Sequence, residues 1–337
     1  MNDAAPCSPS PDTITAVRAG LLGWWHANRR DLPWRHTRDP YRILVSEVML
    51  QQTQVDRVIP YYARWLEAFP TVEDLANAPT AEVIRHWAGL GYNRRAVNLQ
   101  RTAQAVVDRG GEFPRTVAEL QQLPGIGAYT SGAIACFAFE QDVPFVDTNM
   151  RRVLHRVFVG PDVPEPLATD RELILLAEAI IPPGDGWNWN QALIEFGALQ
   201  CSARKPLCIV CPLQQQCAAR PTIQTILATL PKGSAKKKEI PFKESNRYFR
   251  GRVVDLLRAQ DGEHRGLTLA EIGPHVRDEF APEEDLPWIF EVVQGLERDG
   301  LAMIAEEPVP YDVSGRAASP DTTPQHPDLA TLRVRLP

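Results

Sequence analysis

Two carboxylates in this chain lie where solvation alone does not account for them. Glu47 sits in Ile43-Leu-Val-Ser-Glu-Val-Met-Leu-Gln-Gln-Thr53, beside Val45, Val48, Met49 and Leu50, on a segment apolar nearly all round. A carboxylate there is costly unless it is paired or used. Burial raises its pKa, which a general acid working near neutral pH requires. The plainer reading is a glutamate on the one exposed edge of a helix. Asp147 follows Phe145-Val146 and opens the amphipathic run 148–158, in N-cap position. Capping is its plainer role. A carboxylate held at a helix N-terminus is also expected to have a low pKa and to stay ionised. Glu195, in Trp187-Asn-Trp-Asn-Gln-Ala-Leu-Ile-Glu-Phe-Gly197, repeats the setting of Glu47.

Four of the six cysteines, Cys201, Cys208, Cys211 and Cys217, fall in one short stretch with the pattern C-x6-C-x2-C-x5-C. Four thiolates suit zinc or an iron–sulfur cluster. Structural zinc commonly uses two C-x2-C pairs, and only one is present. The compact spacing predicts one [4Fe–4S] cluster.

A third chemical feature is Leu123-Pro-Gly-Ile-Gly127. Val117, Leu120 and Leu123 recur at helical spacing before it, and 128–139 reads as an apolar helix after it. Pro124, Gly125 and Gly127 break the helix between them. The result is a helical hairpin over 113–139. Gly125 and Gly127 let a ligand approach main-chain N–H groups at a helix N-terminus, a setting that suits phosphate. An ordinary αα-hairpin is the plainer reading. A second turn, Gly89-Leu-Gly-Tyr-Asn-Arg-Arg95, combines two glycines, an aromatic and two arginines. It is either a plain loop or a wedge for a base step.

The elements that must hold these residues are mostly helical. Helices are expected over 13–29, from Asp39-Pro40 to about 53, and at about 55–69, 75–80, 81–89, 148–158 and 170–181. The 337 residues suit two domains, and a hydrophobic fraction of 44% is enough for a core. Residues 1–12 read as a disordered start, 13–230 as one domain, 231–244 as a basic linker and 245–337 as a second domain. In that second domain, helices over 248–257, 267–276 and 286–300 precede a β-hairpin made by 302–305 and 329–336. Its long loop is 308–326. This is a winged-helix pattern.

Net charge is −6, but the charge is divided. Residues 204–252 carry eleven Lys or Arg against two acids, and 259–307 carry thirteen acids against three Arg. The basic stripe suits phosphate. The acidic stretch suits a protein partner. There is no apolar run long enough for a membrane span and no signal-peptide pattern. The expected location is cytoplasmic, associated with the nucleoid in a prokaryote.

Residues 13–220 resemble the helix-hairpin-helix glycosylase superfamily that carries an iron–sulfur loop. Leu123-Pro-Gly-Ile-Gly127, Val146-Asp147 and the four cysteines carry the likeness. Within it, Leu32-Pro-Trp-Arg35, Ser46-Glu-Val-Met-Leu-Gln-Gln-Thr53 and Asn190-Gln-Ala-Leu-Ile-Glu-Phe-Gly-Ala198 resemble the adenine DNA glycosylases (MutY type). The resemblance implies two helical subdomains with a [4Fe–4S] loop. It also implies a monomer acting on mismatched double-stranded DNA, removing adenine opposite 8-oxoguanine or guanine.

The residues carried over are Glu47 and Asp147 as catalytic carboxylates and Tyr129 as the active-site tyrosine. Arg30, Leu32, Trp34, Arg35 and Glu195 would surround the flipped adenine, and Gln52 and Tyr92 would probe the duplex. Bifunctional lyases of the superfamily carry lysine at the position of Tyr129, so no Schiff-base chemistry is expected. The family often has Gly directly after the aspartate and Lys three residues beyond it. Here those positions are Thr148 and Arg151, and 245–337 does not resemble the family's usual C-terminal domain. Two rival functions are a thymine or uracil glycosylase acting on T·G or U·G mismatches, and a non-catalytic iron–sulfur DNA-binding regulator.

Overall fold

The computed structural model describes residues 9–231, 241–260, 266–305, 329 and 332–337. Most of the expected disordered start, most of the basic stretch 231–244 and the expected loop 308–326 lie outside the described residues.

In chain order the helices are α1 (Pro11–Asn28), α2 (Pro40–Leu50), α3 (Val55–Ala68), α4 (Val72–Asn77), α5 (Thr80–His86) and α6 (Arg94–Val107). They continue as α7 (Val117–Leu120), α8 (Ala128–Phe139), α9 (Thr148–Leu154), α10 (Asp170–Ile180), α11 (Gly186–Leu199) and α12 (Ile223–Thr229). The last are α13 (Asn246–Arg258), α14 (Leu269–Val276) and α15 (Pro282–Arg298), with strands β1 (Leu267–Thr268), β2 (Met303–Ala305) and β3 (Arg333–Arg335). The protein is thus mainly helical. No described helix is long and apolar enough to cross a membrane.

Local chemistry sets the helix starts. The Ser10 hydroxyl accepts from the Thr13 N–H at 3.2 Å, so α1 begins at Pro11, inside the segment expected to be disordered. Asp39 caps α2 through the Tyr41 N–H at 2.8 Å, with Pro40 preset for the first turn. The run 148–158 is not one regular helix. α9 ends at Leu154 and the chain widens into a π-turn over His155–Val159.

Contacts divide the chain into two compact units that interleave in sequence: Met1–Gln51 with Glu112–Lys236, and Gln52–Gly111 with Lys237–Pro337. In the first unit, α8 is the central helix, buried at every position from Thr130 to Ala138. It packs against α2, while α11 packs against both α1 and α9. The α9–α11 approach depends on Gly197, where a Cβ would stand 2.8 Å from Asn149.

In the second unit, Ile84 and Val97 share one core with Val253, Val254, Leu257, Ile272, Val293 and Val334. That shared apolar burial is why 52–111 groups with the C-terminal residues, and it cuts across a division drawn by chain order. The three strands form an antiparallel sheet in the order β1-β3-β2, with Leu267 opposite Val334 and Ile304 opposite the same Val334. The helix expected from 267 starts instead at Leu269. Thr268 and Glu271 form a capping box there, leaving 267–268 free to pair with β3.

Candidate active site

α2 carries Glu47 into the interior, where the residue is 6% exposed. Tyr129, one residue into α8, hydrogen-bonds the Glu47 carboxyl. Burial pushes Glu47 up to about 7, and the charge of Asp147 pushes the same way. The Tyr129 hydrogen bond and the field of Arg35 hold it back. The carboxyl thus keeps its proton to a much higher pH than an ordinary carboxylate does, as a general acid requires. The phenol itself is raised well above its ordinary value, by burial first and by the two carboxylates. Tyr129 therefore stays a neutral hydroxyl, braced edge-on against Phe145 with ring centroids 5.5 Å apart.

Asp147 caps α9, accepting from the Met150 N–H at 2.7 Å and from the Asn149 amide at 3.4 Å. The low pKa expected for it is corrected by the structure. Burial raises it, and the backbone donors of Met150 and Asn149 with the charge of Arg152 offset only part of that. The capping position was legible in the sequence, but the depth of the site was not.

Glu195 differs from Glu47, although the two share apolar neighbours in sequence. Its side chain is fully buried, and Arg30 forks onto it through Nε at 2.8 Å and a terminal nitrogen at 2.7 Å. The Arg30 backbone N–H adds a bond at 3.0 Å, and Arg35 adds another at 3.0 Å. Burial raises Glu195, but the hydrogen bonds from Arg30 and Arg35 prevail and hold it at about 2. It is a permanent anion rather than a proton donor. Arg35 also reaches Gln191 at 2.9 Å and the Arg30 carbonyl at 2.8 Å, and stacks over Trp25 at 4.6 Å. Residues 30–35 are thereby fastened to α11, with Leu32 and Trp34 both buried.

The hairpin is present, but its first helix is a single turn, α7. Gly125 has φ +78°, the left-handed region that favours glycine. Gly127 is the N-cap of α8 with an extended backbone, and a Cβ there would meet nothing within 4 Å. The space in front of the α8 N-terminus is open. Gln52 and Tyr92 belong to the second unit. Both are non-glycine residues in the left-handed region, at φ +55° and +47°. Such backbone strain concentrates at working positions. Tyr92 is 41% exposed.

None of the four clustered cysteines is in a disulfide. Cys201, Cys208 and Cys217 lie close enough to act on Cys211 electrostatically. Backbone N–H groups point at sulfur: Leu213 donates to Cys211, and Ala219 and Arg220 donate to Cys217. Four neighbouring cysteines, two of them with backbone N–H donors at sulfur, fit an iron–sulfur cluster in donor type. Among the described residues, no three His, Cys, Asp or Glu side chains are gathered in a metal-holding group.

Two arginines that sequence reasoning missed anchor this loop. Arg152 donates to the Cys201 carbonyl at 2.7 Å and to the Gly197 carbonyl at 2.6 Å. Arg156, 1% exposed, pairs with Asp162 at 2.5 Å and reaches the Ser202 and Ala203 carbonyls at 2.9 and 3.0 Å. The only signal in the sequence was two arginines four apart among Val153, Leu154 and Val157.

Residues 45–178 match the family model of the HhH-GPD superfamily base excision DNA repair proteins. The chain is 46% identical over 222 residues to an adenine DNA glycosylase of Homo sapiens, covering 63% of this chain and 40% of that protein. It is 37% identical over 324 residues to an adenine DNA glycosylase of Mycobacterium tuberculosis, covering 93% of this chain and 97% of that one. The solved structure of a thermostable thymine-DNA glycosylase superposes with a TM-score of 0.58 at 34% identity, covering 62% of this chain and 97% of that chain. The helical hairpin and the site beside it define a helix-hairpin-helix base excision DNA repair protein. Within that class, the chain belongs to the adenine DNA glycosylase family. It spans about two fifths of the length of the mammalian relatives it matches.

Proposed function

We propose that the protein is a monofunctional DNA glycosylase, acting as a monomer, that hydrolyses the N-glycosidic bond of adenine mispaired with 8-oxoguanine or guanine in double-stranded DNA. One observation carries this reading: a buried glutamic acid with a pKa of about 7, hydrogen-bonded to Tyr129 and coupled to the carboxylate of Asp147. Cleavage of an N-glycosidic bond passes through an oxocarbenium-like sugar, so the two-carboxylate logic of glycoside hydrolysis applies by analogy. Glu47 gives its proton to N7 of adenine and makes the base a better leaving group. Asp147 faces the positive sugar that results, and water completes the reaction. Tyr129 holds the Glu47 carboxyl and has no amine with which to form an imine.

The base must first leave the stack, which costs a few kcal/mol. Gln52 and Tyr92 offset part of that by filling the gap. Leu32, Trp34, Arg30 and Arg35 bound the extruded base, with Glu195 fixing the two arginines. Gly125 and Gly127 let the backbone N–H groups of the hairpin reach a phosphate. Cys201, Cys208, Cys211 and Cys217 would hold a [4Fe–4S] cluster, which when bound cross-links the loop that presents Arg204 and Lys205. The acidic stretch of the C-terminal residues suits a protein partner.

The test is base release from A·8-oxoguanine, A·G and T·G duplexes side by side. Adenine release with an intact T·G duplex is expected. The second reading, a thymine glycosylase, is favoured by the likeness to a thymine-DNA glycosylase structure, and release of thymine alone would establish it.

A further inference from the structure

The second unit contains a groove of about 760 Å³ between the 89–98 turn and α13. Its walls carry six arginines and two aspartates. The aspartates are already used. Asp299 pairs with Arg250 and, at 3.3 Å, with Arg94, and Asp255 pairs with Arg258 at 2.9 Å. Arg247 and Arg252 have no carboxylate partner among the described residues, and both are exposed. Arg247 instead stacks over Tyr92, 4.1 Å from the ring centroid. Among the described residues, Arg252 donates to the His275 carbonyl. A concave surface with an excess of arginine and an aromatic floor is an anion site that also accepts planar groups. Its size is that of a ligand pocket, far larger than a single ion needs. It lies at the end of the basic stretch 204–252 and at the strained turn that carries Tyr92.

We propose that this groove grips the phosphodiester backbone of DNA, with Arg247 and Arg252 as its phosphate contacts. The C-terminal residues are then part of the DNA interface rather than an appendage to it. This rests on the reading of the protein as acting on DNA, but not on which base it removes. Arg247 leaves its stack on Tyr92 when phosphate arrives, which couples backbone binding to the freedom of the Tyr92 side chain.

The test is the affinity of the full chain for a mismatched duplex across a salt series, in a Glu47→Gln background so that no base is released. Arg247→Ala and Arg252→Ala should each weaken binding roughly three- to ten-fold and lower the slope of log K against log salt by about 0.9. Arg247→Lys should retain most of that slope, because the charge remains. Unchanged affinity and slope in both alanine variants would overturn the proposal. So would weakened binding at unchanged slope, since Arg247 would then act only by holding Tyr92. Melting temperatures equal to the parent's establish that the variants are folded. If unsubstituted protein releases no base while these binding effects appear, the glycosylase reading fails and the groove stands.

Discussion

Arg30 and Glu195, 165 residues apart in sequence, meet as a two-pronged ion pair with bonds of 2.8 and 2.7 Å. The carboxylate is fully buried and also takes Arg35, so this one side chain ties the 30–35 segment to α11. Glu195→Gln leaves two guanidinium groups beside a neutral amide. Removing one partner of a buried pair costs about 3 kcal/mol, and the loss should be read as a lower denaturant midpoint with unchanged slope. The pair also sets a pH response. The folded-state pKa, about 2, lies below the ordinary value of 4.5, so its stabilisation is present above about pH 4.5 and is lost as pH falls toward 2. Glu195→Gln should flatten that part of the acid-unfolding curve.

Gly125 and Gly127 separate folding from binding. Gly125→Ala forces a side chain into the left-handed region and should cost about 1 kcal/mol. Gly127→Ala meets no neighbour and has an ordinary φ, so its melting temperature should match the parent's. It should nonetheless weaken duplex binding several-fold, because the new methyl occupies the space in front of the α8 N-terminus. Full affinity in Gly127→Ala would remove the hairpin from the phosphate interface.

Arg156 holds the start of the cysteine loop through the Ser202 and Ala203 carbonyls. Arg156→Met removes the bonds to the Ser202 and Ala203 carbonyls and strands Asp162. The loop should open without the rest of the fold, and cleavage by trypsin after Arg204 should accelerate at least several-fold in a timed digest; Pro206 protects the bond after Lys205. Iron content measured on the same samples should fall. Equal digestion rates would show that the loop is held by other means.

Under the proposed function the chemistry stops at the abasic site, because Tyr129 carries no amine with which to form an imine. Borohydride added during turnover should trap no covalent DNA complex, and Tyr129→Lys should confer some strand nicking while slowing base release. Efficient trapping by the unsubstituted protein, at the rate of base release, would refute the monofunctional reading.

Some of this site was legible in the sequence, and the reason differs from residue to residue. The apolar neighbours of Glu47 on nearly every side make its burial one of two readings, and the hairpin follows from Pro124, Gly125 and Gly127, because both are local patterns. The cap made by Asp147 is local too. Its raised pKa is not, since burial depends on what packs over the helix end. Glu195 and Glu47 sit in similar local sequences and end as opposite electrostatic types, because Arg30 and Arg35, distant in the chain from Glu195, hydrogen-bond it, while Glu47 feels only the field of Arg35. Arg152 and Arg156 look like the polar face of an amphipathic helix until the cysteine loop is seen to fold against them. The interleaved units were hidden for a related reason. Ile84 and Val97 are ordinary apolar helix positions, and nothing near them in sequence names Val253 or Val293 as their partners.

The proton held by Glu47 is the central claim, and single-turnover adenine release by the parent and by Glu47→Gln across pH tests it most directly. Glu47 is raised from 4.5 to about 7, so the competent acid is present below that value and lost as pH rises through it. The parent's rate should therefore fall above pH of about 7. Glu47→Gln, the same shape without the proton, should be slower by at least about 100-fold at every pH while still binding the duplex. A Glu47→Gln protein that releases adenine at the parent's rate would contradict the assignment of Glu47 as the acid.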